Sequence, residues 1–266
     1  MAENPDNKID EEIERLTGMV RDEAILAQQD RIQKEVEDSN ALVSERLPLL
    51  ILKEEYQSDP IYSKKIEDMN ASFPYIRKTR GDGNCFFRAF GFAYMEKLLS
   101  DKAELHRFKE IIEKSKDTLI SLGCPSFTLM DFHDTFMEVV NQLEEKPSLS
   151  ELVATYCDQG MSDYLVVYLR LLTSLELQKE AEFYQNFVEG NRTVKEFCSQ
   201  EVEPMYKESD HIHIIALTSY LGVGVRVVYL DRGENQKVNH HDFPEGMPPQ
   251  IALLYRPGHY DVLYGD

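Results

Sequence analysis

Cys85 stands directly after the turn Gly81-Asp82-Gly83-Asn84 and opens an apolar helical stretch. Backbone N–H groups without intrahelical partners, together with the helix macrodipole, favour an anion at such a position, which suits a thiolate. Gly83 lets the backbone come close to a substrate, and amides in the turn can donate to a developing oxyanion. The bland alternative is that a cysteine beside Phe86, Phe87 and Phe90 is a buried small hydrophobe. A thiolate nucleophile needs a base, and the base needs an orienting group. Far downstream, Gly258-His259-Tyr260-Asp261 supplies both. Residues i and i+2 of a strand share a face, so His259 and Asp261 can lie side by side. One ring nitrogen then meets the carboxylate and the other faces the sulfur. A His-x-Asp triplet alone is common. Paired with Cys85 behind its glycine turn, it has the pattern of a thiol hydrolase.

The elements that must position these groups differ along the chain. After the breaker cluster at 81–84, a helix is expected from Cys85 to about Leu99, interrupted in composition only by Gly91. Helical periodicity continues over 103–122, 129–145, 149–156, 162–172 and 175–188. A short helix is expected after Asn191-Arg192-Thr193, and another over 209–220. Upstream, a helical stretch ends near Met69, and Phe73-Pro74-Tyr75-Ile76 reads as extended. The C-terminal part is β-like at 225–230, 251–255 and 259–264, with Asp231-Arg232-Gly233 as a turn. The expected fold is α+β: a helical block packed on a small, mainly antiparallel sheet, forming one domain over 41–266. Residues 1–40 stand apart, with 12 acidic and 5 basic residues. Helical apolar spacing at Ile9, Ile13, Leu16 and Val20, then at Ile25, Leu26, Ile32 and Val36, suggests an amphipathic arm that docks on the body or a partner. A solvated helix without a partner is the alternative.

Composition narrows the function. The 266 residues carry 48 acidic against 29 basic side chains, a formal charge of −19. Such a chain repels phosphate backbones, and its densest basic cluster is only Arg77, Lys78 and Arg80, so nucleic-acid binding is not expected. Apolar residues at 42% of the chain, with 13 Phe and 14 Tyr, can fill a core. The most apolar helical stretch, from Tyr164 to Leu175, is too short to span a bilayer and contains Arg170. The first residues lack the layout of a secretory signal. Cys85, Cys124, Cys157 and Cys198 are scattered without a Cys-x-x-Cys pair, which fits free thiols in a reducing, cytoplasmic or nuclear compartment.

The segment Asp82-Gly83-Asn84-Cys85-Phe86-Phe87-Arg88-Ala89 resembles the signature of the ovarian tumour (OTU) cysteine proteases. Tyr255-Arg256-Pro257-Gly258-His259-Tyr260-Asp261 is similar to their C-terminal histidine motif, and the likeness is greatest to the otubains. Tyr75 to Arg80, Ser162 to Tyr168, Glu208 to Leu217 and the arm segment Asp22 to Ile32 share it. Gly81 departs from the pattern, which more often has a proline there, and is expected to loosen the turn.

The resemblance implies a papain-like OTU fold and a deubiquitinase that cuts ubiquitin–ubiquitin isopeptide bonds, preferring chains linked through lysine 48 of ubiquitin. By position it implies Cys85 as nucleophile, His259 as base and acid, Asp261 as orienter and Asp82 as a residue shaping the oxyanion hole. No metal or cofactor is implied. The implied partners are ubiquitin at distal and proximal sites, polyubiquitin chains and ubiquitin-charged conjugating enzymes, whose transfer the arm helps suppress without catalysis. A protein whose main task is that inhibition, with its triad spare, is the rival reading.

Other residues invite weaker expectations. His211 and His213, with His240 and His241, lack the further ligands of a metal site, and ubiquitin contact by His211 or His240 is the functional alternative. Phe183 and Phe187 lie one turn apart before Gly190. Core packing is the default there, and an exposed ubiquitin-facing pair is the alternative. Cys124, Cys157 and Cys198 read as structural thiols.

Overall fold

The computed structural model describes residues 41–145, 147–233 and 238–265. The chain divides into two units, residues 1–40 and residues 41–266. The expected arm, with Ile25, Leu26, Ile32 and Val36, lies outside the described residues.

At the centre of the second unit is a helix, α2 (Cys85–Leu98), preceded by α1 (Pro60–Asn70). Asp59 caps α1 by accepting from the Ile61 and Tyr62 amides, and Pro60 starts it where its missing N–H costs nothing. Every residue of α2 from Cys85 to Met95 is buried, so this helix is covered all round and serves as the core, with the buried Arg88 paired to Asp82. Gly91 sits in its middle because a Cβ there would meet Tyr156 Oη at 2.7 Å and Leu169 Cδ1 at 2.8 Å. Around it pack α3 (Lys102–Ser121), α4 (Ser126–Glu144), α5 (Leu149–Cys157) and α6 (Gln159–Lys179). Short helices α7 (Ala181–Tyr184) and α8 (Val194–Phe197) lead to α9 (His211–Leu221).

Two features depart from expectation. The stretches 162–172 and 175–188 are not two helices of that extent: α6 runs unbroken through Thr173 and Ser174. Thr173 Oγ1 back-bonds within the helix to the Leu169 carbonyl at 2.9 Å and Ser174 Oγ donates outward to Glu203 at 2.6 Å, so both hydroxyls are satisfied without ending the helix. The sheet is also larger than the β-like runs suggest. Strands β1 (Leu47–Pro48), β2 (Tyr75–Arg77), β3 (Val225–Tyr229), β4 (Asn239–Phe243), β5 (Ile251–Arg256) and β6 (His259–Tyr264) lie in the order β1-β2-β6-β5-β3-β4. Neighbours are antiparallel except β3 and β5. The polar edge strand β4 has no apolar alternation to announce it; it is held by its pairing to β3 and by a two-pronged Arg226–Asp242 ion pair, both contacts at 2.8 Å.

Alternation along the strands splits their apolar side chains between two cores. Val225, Val227, Leu253 and Val262 join the helical core around α2, whereas Val228, Leu254 and Leu263 join a smaller core with Leu49, Leu52 and Ile66. Burial on both faces locks the register, because a one-residue slip would swap the two sets. That register sets Arg256 opposite His259 and Leu254 opposite Asp261. Among the described residues no helix is long and apolar enough to cross a membrane.

Candidate active site

The site forms where the N-terminus of α2 meets the start of β6. Cys85 is only 4% exposed, yet its sulfur is hydrogen-bonded to the His259 imidazole, so burial and reactivity coincide here. His259 Nε2 faces Asp261 Oδ1 at 2.8 Å, while its Nδ1 edge lies against Gly81, where a Cβ would come within 3.3 Å. One imidazole therefore bridges carboxylate and thiol, as the strand spacing predicts. Gly81, expected only to loosen the turn, is packed beside the ring.

Asp261 is fully buried. Its Oδ1 also accepts from the Thr79 amide at 2.9 Å, and its Oδ2 accepts from Arg256 Nη2 at 2.7 Å. Burial works against its charge, but His259, Arg256 and the Thr79 amide together hold its pKa below the usual carboxylate value. Arg256 is steadied in turn by Glu55 at 2.7 Å, and Glu55 also pairs with Lys78. Burial alone would lower the His259 pKa as well. The hydrogen bonds to Asp261 and Cys85 overturn that and push it up to about 9. The imidazole is then protonated at neutral pH, which places a positive charge beside the sulfur.

The turn before Cys85 is braced from beneath. Asp82 accepts from the Asn84 amide and from Arg88 Nη1, both at 2.9 Å. It therefore shapes the turn as an acceptor. Gly83 adopts φ 77°, and a Cβ there would lie 2.4 Å from the Tyr206 carbonyl oxygen, a position only glycine can fill. Asn84 Oδ1 accepts from the Tyr206 amide at 3.0 Å and from Arg170 Nη2 at 2.8 Å.

Over the sulfur lies a narrow cleft of about 20 Å³, lined by Glu208, Ser209, Asp210, Tyr255, Gly258 and Tyr260. Glu208 and Asp210 are shared with a neighbouring groove of about 590 Å³ that includes Phe183, Phe187 and His211. Phe183 and Phe187 are each 56% exposed, so core packing does not describe them. Exposed helix ends leave their rings against each other, 5.3 Å apart. His211 is bonded to the Tyr229 hydroxyl at 2.8 Å. His240 does not join the groove lining; it sits exposed on β4 opposite Val228.

Comparison with known proteins places this arrangement. A family model described as peptidase C65 otubain matches residues 35–265. The chain belongs to the otubain family. It is 56% identical to human "Ubiquitin thioesterase OTUB1" over 99% of both chains, and 40% identical to human "Ubiquitin thioesterase OTUB2" over 86% of this chain and 97% of that one. The solved structure titled "The structure of h/ceOTUB1-ubiquitin aldehyde-UBCH5B~Ub" superposes with a TM-score of 0.88 at 37% identity, covering 93% of this chain and 99% of that one. A second, titled with UBC13~Ub, gives 0.88 at 38% identity over the same shares.

Within this otubain, Thr79, Asn84, Arg170 and Arg256 escaped the reading of the sequence as members of the site. Arg256 and Asn84 lie inside the quoted motifs, where a buried arginine or asparagine beside a catalytic group is a usable signal. Arg170 sits in the middle of an apolar helical run, and a charge there was the one available clue.

Proposed function

We propose that this otubain hydrolyses isopeptide bonds between ubiquitin units, with Cys85 as nucleophile, His259 as acid and base and Asp261 as its orienter. The observation that carries this is the single imidazole bridging the Asp261 carboxylate and the Cys85 sulfur. Curated relatives named ubiquitin thioesterases, at 56% identity over nearly the whole chain, support the substrate class. So does the narrow cleft, which suits a glycine backbone such as ubiquitin's C-terminus. In the reaction, sulfur attacks the carbonyl carbon and the Gly83 and Cys85 amides receive the oxyanion. His259 then gives its proton to the leaving lysine amine, and water attacks the resulting thioester, passing a proton back through His259.

Phe183, Phe187 and His211 line a groove that runs into the cleft, which fits a distal ubiquitin lying there. Preference for chains linked through lysine 48 of ubiquitin belongs to the same proposal, with residues 1–40 helping to hold the proximal ubiquitin. Solved relatives titled as complexes with UBCH5B~Ub and UBC13~Ub support binding of ubiquitin-charged conjugating enzymes, and suppression of their transfer is the second activity of this proposal. All four cysteines are free, which fits work in the reducing cytoplasm or nucleus.

The test is a panel of di-ubiquitins, one per linkage, offered to the intact chain and to Cys85→Ala. Cleavage confined to the lysine-48 dimer and lost in Cys85→Ala is the expected result. Cleavage that survives Cys85→Ala would remove the nucleophile. No cleavage of any dimer would leave inhibition of conjugating enzymes as the main activity.

A further inference from the structure

Arg170 is fully buried in α6, far in sequence from either catalytic segment. Among the described residues no carboxylate pairs with it, and burying a charge without one is costly unless its donors are otherwise satisfied. Its two Nη groups are satisfied by an unusual set, while Nε has no partner among the described residues. Nη2 donates to the Gly83 carbonyl at 3.0 Å, to Asn84 Oδ1 at 2.8 Å and to the Lys207 carbonyl at 2.7 Å, and Nη1 donates to the Val202 carbonyl at 3.0 Å. The guanidinium carbon also lies 4.5 Å from the centre of the Phe87 ring. One side chain thus ties the turn before Cys85 to the 202–207 segment, whose continuation, Glu208 to Asp210, lines the cleft.

Peptide planarity converts those bonds into an orientation. The C=O and N–H of a trans peptide point in opposite directions. With the Gly83 carbonyl held on Arg170, the Asn84 amide is turned to Asp82, where it donates at 2.9 Å. The Asn84 carbonyl is taken by the Arg88 amide at 3.0 Å, so the Cys85 amide points out of the helix start. Among the described residues the Gly83 and Cys85 amides have no acceptor. On the other side, Tyr206 holds a left-handed φ of 65°, donates to Asn84 Oδ1 and packs its carbonyl against Gly83. A side chain in that conformation is strained and needs its surroundings to hold it.

We infer that Arg170 is a positioning residue for acyl transfer: its guanidinium fixes the turn so that the Gly83 and Cys85 amides meet the oxyanion without rearrangement. The inference rests on Cys85 being the nucleophile proposed above. It separates two reactions of the same sulfur. Attack on a carbonyl builds an oxyanion and needs those amides; alkylation by iodoacetamide displaces iodide and builds none.

The experiment compares the unmodified full chain with Arg170→Lys, which keeps the charge but loses the fork of donors, and Arg170→Met. Acylation of Cys85 by p-nitrophenyl acetate and cleavage of di-ubiquitin should slow by about 10- to 100-fold in Arg170→Lys, with KM unchanged. Binding of ubiquitin aldehyde, which forms a tetrahedral adduct, should weaken by a similar factor, while alkylation by iodoacetamide stays within about twofold. A parallel fall in alkylation would show a merely structural role and overturn the inference, as would unchanged acylation. Should Arg170→Met not fold, Arg170→Lys decides alone. If the unmodified chain is acylated by the ester yet leaves ubiquitin substrates uncut, the ubiquitin assignment falls and the Arg170 comparison still stands on the ester.

Discussion

His259 carries opposing influences on one ring. Burial favours its neutral form, and the Asp261 carboxylate and Cys85 sulfur favour the charged one strongly enough to push its pKa up to about 9. In the proposed mechanism the proton on this ring is the one delivered to the leaving amine, so kcat/KM should fall as pH rises through about 9. In Asp261→Asn the largest remaining influence is burial, so the alkaline limb should move to lower pH and kcat should drop; a limb that stays in place would show that Asp261 does not set the His259 proton. The sign for stability agrees. A pKa raised above the ordinary value of about 6.5 adds stability that is full below that pH and is lost as pH rises through about 9, which urea titrations across this window would read. At this scale the sequence was legible for Cys85, His259 and Asp261, because each belongs to a short local motif. Thr79 and Arg170 were not, because what they do depends on partners 182 and 86 residues away.

Elements were legible where one local rule dominated. The helix opened by Cys85 was readable from its breaker cluster and apolar run, whereas β4 was not, since an edge strand held by pairing and an Arg226–Asp242 ion pair has no apolar period. Gly91 shows local and tertiary rules in conflict. Alanine is the better helix former by about 1 kcal/mol. Yet a methyl there would press on the buried Tyr156 hydroxyl and Leu169, both under 3.0 Å. Gly91→Ala should therefore destabilise the chain, by about 1–3 kcal/mol in urea unfolding. A gain in stability would mean that α5 and α6 can retreat from α2.

The whole molecule adds charge and the first unit. With a net charge of −19, encounter with a basic recognition face on ubiquitin should be steered, so kcat/KM should decline with added salt, mainly through a rising KM. A salt-independent rate would deny charge a role. Every triad residue and every described core cluster belongs to residues 41–266. Removal of residues 1–40 should therefore leave iodoacetamide reactivity of Cys85 intact, and should abolish the proposed suppression of conjugating enzymes. Suppression that survives the truncation would move that activity onto the catalytic unit.

From residue order alone came an α+β fold and the proposed nucleophile, imidazole and orienting carboxylate, because helix starts, strand alternation and glycine turns are written in neighbouring residues. Tertiary structure alone decided which buried charges stand behind them. Arg256 and Arg170 are placed by strand register and helix packing, and a hydrogen bond across the core has no periodicity along the chain for a reader to find. The exposure of Phe183 and Phe187 was decided the same way: whether an apolar helical pair is covered depends on which element arrives opposite it, and here none of the described ones does.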